Sequence, residues 1–160
     1  MITLYHGTNI FFNEIRLDEC SPFKDFGKGF YLTPDLNQAM GMAKRRTRLS
    51  QQGTPTVLKY NFDESLLSDK SLNVLTFPCP NREWAEFILK NRYESKAESH
   101  NYDIVIGPIA NDGVAFQLER YVQGIISLDQ LVNELTYRKL DTQYYFGTPK
   151  AIEKLKQRYD

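Results

Sequence analysis

The chain of 160 residues is expected to fold as an α+β domain, and three features lead there. Strand-like and helix-like segments are interspersed without the regular βα alternation of a doubly wound sheet. No Gly-x-Gly-x-x-Gly follows a strand, so a Rossmann-type dinucleotide turn is not supported. No internal repeat, low-complexity tract or linker divides the sequence, so residues 1–160 read as one domain. That length buries a hydrophobic core without disulfides or a structural metal.

The elements follow in order. Thr3 to Tyr5 begins a strand that runs into Gly7. Residues 9–28 carry Asn, Asp, Ser, Pro and Gly without periodicity and read as a long irregular connection, a kind of loop that tends to be functional. Gly29–Thr33 is a second strand. Thr33-Pro34 then predicts a helix start, with Thr as N-cap and Pro at the first helical position. Leu36, Ala39, Met40 and Ala43 fall on its inward face. Its far end, Lys44 to Arg48, is basic, as the helix dipole favours.

After a turn at Gln51–Pro55 comes a strand at Thr56–Phe62, a short helix around Ser65–Ser71 and a strand at Leu72–Phe77. Asn81 caps a helix with Trp84, Phe87 and Ile88 on one face and Asn91-Arg92 at its end. Tyr102–Ile106, bounded by Gly107-Pro108, is a buried strand. Asn111-Asp112 precedes a helix with Val114, Leu118, Tyr121 and Val122 inward, stopped by Gly124. Ser127 to Gln130 has the capping-box pattern. Thr142–Phe146 is a late strand, and Thr148-Pro149 starts a C-terminal helix with Ile152 and Leu155 inward.

Composition narrows the function classes. Twenty basic and twenty acidic residues give zero formal charge, so the whole-molecule field does not draw nucleic acid or an anionic membrane. Cys20 and Cys79 lack CxxC spacing, and with only His6 and His100 for imidazoles no zinc site is expected. The N-terminus has no charged leader followed by an apolar run, and no stretch approaches a membrane span. A cytoplasmic chain with free thiols is the expectation, although export by a signal-independent route as an effector leaves no mark in a sequence.

Three short pieces place polar and glycine residues at strand ends. In Tyr5-His6-Gly7-Thr8 a glycine beside a histidine permits close backbone approach, and Thr8 adds a hydroxyl. In Asp25-Phe26-Gly27-Lys28-Gly29-Phe30-Tyr31-Leu32-Thr33 a tight turn precedes a strand. Phe30 and Tyr31 point to opposite faces there, one into the core and one free to cover a planar ring. Gln143 opens the strand Thr142–Phe146 with a donor and an acceptor on one side chain. Each piece alone also reads as ordinary structure.

In this order the pieces resemble the ADP-ribosyltransferase superfamily, in the branch whose motifs read His, Tyr, Glu. They resemble more closely a bacterial family of ADP-ribosyltransferase-like proteins, in which a His-Gly-[Ser/Thr] start, an Asp-Phe-Gly-x-Gly-Phe-Tyr-x-Thr block and a Tyr-Asp-Ile-Val-x-Gly-Pro segment share one chain. The resemblance runs from Leu4 to about Leu155. It implies a split antiparallel sheet core with surrounding helices, NAD as co-substrate and no metal. It also implies catalytic roles for His6, Tyr31 and Gln143, and an NAD-binding set of Tyr5, His6, Gly7, Thr8, Asp25, Gly29, Phe30, Tyr31 and Thr33. His6 would bond the adenosine-side ribose while the adjoining backbone holds the nicotinamide carboxamide, and Tyr31 would stack on the nicotinamide. Arg92 is a candidate for an NAD phosphate, and Asp112 for the cleft wall.

The third motif of the branch supplies a glutamate, and Gln143 stands in its place. Breaking the nicotinamide–ribose bond passes through an oxocarbenium-like state that an anion stabilises. A neutral amide can hold a ribose hydroxyl but is no base. Either the acceptor is already ionised, or Asp112, Asp25 or Glu119 supplies the charge, or activity is lost. The resemblance thus implies a mono-ADP-ribosyltransferase acting on a macromolecule, protein in preference to nucleic acid, in a toxin-like or effector-like setting with a neutralising partner protein. The alternative is a module that binds NAD, ADP-ribose or a protein without turnover.

Overall fold

The computed structural model describes residues 1–93 and 100–160. Among them, strands β1 (Ile2–Thr8), β3 (Thr56–Phe62) and β7 (Lys156–Arg158) form one sheet in the order β1-β3-β7. Strands β2 (Phe30–Leu32), β4 (Val74–Thr76), β5 (Ile104–Pro108) and β6 (Thr142–Phe146) form the other, in the order β2-β6-β5-β4. Five α-helices surround them: α1 (Leu36–Ser50), α2 (Arg82–Tyr93), α3 (Asp112–Val122), α4 (Leu128–Leu135) and α5 (Pro149–Ile152). The class is α+β. Pairing is antiparallel except between β4 and β5, which run parallel, so the expectation of wholly antiparallel halves is corrected at that edge.

Alternation along the strands sorts the aromatic residues into two cores. Phe30 and Leu32 of β2 and Tyr144 and Phe146 of β6 lie with Leu4, Leu58, Tyr60 and Phe62 from the other sheet, forming the layer between the sheets. Tyr31 and Tyr145 point the other way. Tyr145 joins Phe26, Trp84, Ile88, Val114, Leu118 and Leu131 in a second core beneath α2, α3 and α4, and Tyr31 packs against it. Helix α1 covers β1 and β3 on the outer side of the first sheet.

Several sequence expectations are adjusted. Thr33 does not cap α1. Its backbone is engaged by Tyr5, and Asp35 is the cap, with Oδ1 accepting from Asn37 N at 2.7 Å and Gln38 N at 3.2 Å. Ala39 and Ala43 face inward as expected, but Leu36 lies on the solvent side and is 46% exposed. In α3, Val114 and Leu118 are inward, while Val122 is exposed and Gln117 is buried in its stead.

The segment expected as a helix around Ser65–Ser71 is a 3₁₀ stretch at Glu64–Ser68, and the strand expected over Leu72–Phe77 shortens to β4. Gly107 and Pro108 belong to β5 rather than bounding it. Asn81, Ser127 and Thr148 act as helix caps as expected, Ser127 in a complete capping box. The C-terminal helix is only one turn, and the chain then continues into β7. Among the described residues no helix is long and apolar enough to cross a membrane. Cys20 and Cys79 are free thiols.

Candidate functional site

The two sheets meet at a seam. Tyr5 N donates to Thr33 O at 2.8 Å, and Thr33 N donates to Tyr5 O at 2.9 Å. In an antiparallel strand, alternate residues turn their N–H and C=O to the same edge. The register of β1 against β3 is unbroken from Ile2 to Thr8, so Gly7 presents its backbone groups to the same edge as Tyr5. The position facing it across the seam belongs to Tyr31. No backbone bond joins them, and the Tyr31 carbonyl instead accepts from His6 Nδ1 at 2.7 Å. Among the described residues, nothing bonds the Gly7 backbone on this edge beside Tyr31.

A carbonyl only accepts, so Nδ1 of His6 carries the proton. The His6 ring lies 4.4 Å from Phe30 and 5.9 Å from Phe12, measured between centroids, on the side of β1 that faces the core between the sheets. Burial in this aromatic setting lowers its pKa to about 4, with the charge of Arg46 adding to the effect against the bond to Tyr31. The imidazole is neutral at pH 7. Nε2 therefore presents a lone pair, and no described residue donates to it.

Tyr31 is held by its hydroxyl, which donates to Gly27 O at 2.6 Å and accepts from Phe26 N at 3.0 Å. Its ring stacks on Phe26 at 6.4 Å and meets the edge of Tyr145 at 5.3 Å. Burial, helped by the charge of Asp25, raises the hydroxyl well above its ordinary value, so it is no base. What Tyr31 can offer a ligand is the remaining face of a half-buried ring. Phe30, as one of the two outcomes expected from alternation, is the aromatic that enters the core.

The loop before β2 is pinned from several sides. Tyr145 donates to Lys28 O at 2.9 Å, and a Cβ on Gly29 or on Gly147 would stand 2.2 Å from the Tyr145 side chain. His100 donates from Nε2 to Phe26 O at 2.7 Å while its Nδ1 accepts from Tyr102 N. These supports, Tyr145 and His100, escape sequence reasoning. Each acts across a long stretch of chain, and an aromatic at strand spacing carries no local sign of its partner.

Asp25 connects this loop to the far strand. Its Oδ2 accepts from Gln143 Nε2 at 2.9 Å and from Ala110 N at 3.0 Å, and its Oδ1 is 3.5 Å from Arg92 Nη1. Gln143 Nε2 also donates to Pro108 O at 3.2 Å, an acceptor it shares with the Trp84 indole. Burial raises the pKa of Asp25, opposed by the Gln143 bond, Arg92, the Ala110 N–H and Lys24. Arg92 Nη1 is itself buried and has no hydrogen-bond partner among the described residues.

The sequence candidates divide accordingly. Tyr5, His6, Gly7, Tyr31 and Thr33 meet at the seam, Thr8 is buried at the end of β1, and Asp25, Arg92 and Gln143 form one bonded cluster on the Tyr31 face of the second sheet. Asp112 does not join them. It sits exposed at the start of α3 and pairs with Arg45 of α1 at 3.5 Å. Of the three carboxylates considered as charge donors, only Asp25 touches Gln143, while Glu119 bonds Tyr93 and Gln123. Among the described residues no three His, Cys, Asp or Glu side chains gather as metal ligands would. A separate groove of about 730 Å³ lies between residues 13–18 and the C-terminal segment, away from this cluster.

No curated protein and no solved structure matches the chain. Residues 2–157 match the model of the family described as "Protein of unknown function (DUF3990)", and the chain belongs to that family.

Proposed function

We propose that the seam between β1 and β2 is an NAD site and that the protein is a mono-ADP-ribosyltransferase of the His-Tyr-Glu type. The observation that carries this reading is the set of groups gathered along this seam, with the His6 ring on its inter-sheet face and the Tyr31 ring on the opposite one. The groups are a Gly7 backbone beside Tyr31 that is unpaired on this edge among the described residues, a half-buried Tyr31 ring, and a neutral His6 with an acceptor at Nε2. A carboxamide needs one donor and one acceptor side by side, which a strand edge supplies. A cationic nicotinamide ring favours an aromatic face. A ribose hydroxyl can donate to Nε2.

Cleavage of the nicotinamide–ribose bond needs no general acid, because the pyridinium leaves as a neutral base. The residues available are suited to orienting both ends of the dinucleotide. Gln143 adds a carbonyl that accepts from a hydroxyl but cannot take a proton. An acceptor that is already ionised, such as a protein carboxylate, fits this site better than one needing deprotonation. Zero net charge favours a protein acceptor over nucleic acid, and a toxin-like setting with a neutralising partner fits a chain of this size.

A second reading is favoured by the same glutamine: a module of this fold that holds NAD or ADP-ribose without turnover. Incubation with labelled NAD and a cell lysate separates the two. Transfer of label to protein, abolished in His6→Ala and in Tyr31→Ala, is the result expected of the enzyme. Saturable NAD binding without nicotinamide release is the result expected of the module.

A further inference from the structure

The amide of Gln143 is not free to choose its orientation. Its Nε2 has two acceptors, Asp25 Oδ2 and Pro108 O, at 2.9 and 3.2 Å. Turning the amide over would set its carbonyl oxygen against both, leaving two buried acceptors facing a third. In the observed orientation Oε1 receives no bond from any described residue. Unlike Arg92 Nη1 and Tyr60 Oη, it is not among the buried side-chain atoms that lack a partner. This Oε1, on a residue only 7% exposed, is an acceptor and nothing else.

Asp25 in turn is fixed by groups from α2, β6 and the loop after β5. The Ala110 N–H bonds Oδ2, Arg92 of α2 stands 3.5 Å from Oδ1, and Gln143 of β6 completes the set. The other charged or titratable groups that feel it are Lys24, the Tyr31 hydroxyl and the Tyr93 hydroxyl. None of these contacts uses the open end of Gln143.

We propose that Asp25 is a positioning residue that locks the Gln143 amide with its carbonyl outward, so that position 143 offers a bound dinucleotide a neutral acceptor for a hydroxyl group. This rests on the NAD reading of the site. The chain has an anion here, but set behind the amide rather than at the ligand. Asp25 acts through Gln143 and does not meet the substrate. The two residues are 118 positions apart, and their coupling is a property of the pair.

A charge-swap series tests it, with NAD as the probe in calorimetry and thermal unfolding followed in parallel from pH 5.5 to pH 8. Gln143→Glu sets two carboxylates against each other, of which only one can be ionised at low cost. Its NAD affinity is expected to fall about tenfold or more at pH 8 and to recover toward pH 5.5, with the melting temperature following the same course. Asp25→Asn combined with Gln143→Glu leaves one carboxylate in the pair and is expected to flatten the profile and bind NAD more tightly than the single variant at pH 8, though short of wild type, because Pro108 O then faces an oxygen and the Ala110 N–H competes for the new amide. Asp25→Leu, which removes the acceptor, is expected to lower affinity about tenfold at every pH. Subtracting the wild-type profile removes the contributions of His6 and His100.

A Gln143→Glu protein whose affinity and melting match wild type at both pH values overturns the proposal. So does a double variant no better than the single one. If wild type binds no NAD, the NAD reading fails, while the melting profiles of the same variants still decide whether Asp25 and residue 143 are coupled.

Discussion

Gly7→Ala is expected to destabilise the protein by about 3 kcal/mol, lowering the melting temperature by roughly 10 °C. A Cβ at this position would stand 2.0 Å from the Ala39 carbonyl oxygen and 2.8 Å from Ala43 N. Both obstacles are helix backbone and cannot rotate aside. Helix α1 cannot retreat either, since Ala39 and Ala43 are its buried contacts with the sheet. Glycine at 7 and alanine at 39 and 43 are small because strand and helix approach to backbone distance. Gly41→Ala on the same helix is the control. Nothing lies within 4 Å of its Cβ, and the helix gains up to about 1 kcal/mol from lost chain freedom. Thermal unfolding of the two variants should move in opposite directions.

The second large effect is acid lability centred on His6. Its folded-state pKa of about 4 lies below the ordinary value of 6.5. The stability that follows from keeping the ring neutral is therefore fully present above about pH 6.5 and is lost as pH falls through about 4. The loss amounts to at most about 3 kcal/mol, reduced to the extent that the half-buried ring reaches water. Asp25, whose pKa is raised, works in the opposite sense, favouring the fold more as pH falls. The informative quantity is thus the difference between wild type and His6→Gln. Denaturant unfolding at pH 7.5 and pH 4 should show a wild-type decline that the variant largely lacks. Equal declines would mean that other carboxylates set the acid limit.

Much of the fold was legible because its signals are local. Thr56–Phe62 and Thr142–Phe146 carry β-branched and aromatic runs between turn residues, and they form β3 and β6 with those bounds. The Ser127–Gln130 pattern satisfies its own helix end and needs no distant partner. Where sequence reasoning slipped, a tertiary contact had claimed the residue. Thr33 has the chemistry of an N-cap, but the seam with Tyr5 holds its backbone extended and passes the role to Asp35. β7 is Lys-Gln-Arg, a polar edge strand without the alternation that would announce it.

The site shows the same division. His6, Tyr31 and Gln143 are singled out by short motifs, and the fold brings His6 and Tyr31 together at the seam. The glycine between Tyr5-His6 and Thr8 pointed to close backbone approach, and the approach is real, but the backbone on its side-chain face is that of α1. Its other feature, an unpaired strand edge, depends on where β2 ends and could not be read from Gly7 alone. Read from the sequence, Asp25 and Arg92 are separate candidates for contact with NAD. In the fold they face each other beside Gln143, an arrangement that only the folded chain reveals.

The central claim is that the seam of β1 and β2 holds NAD, and calorimetric titration of the purified protein with NAD tests it most directly. Saturable binding in wild type is expected, with a loss of about tenfold or more in His6→Ala and in Tyr31→Ala while both variants stay folded at pH 7.5. Absence of binding at millimolar NAD, or binding that both substitutions leave intact, would contradict it.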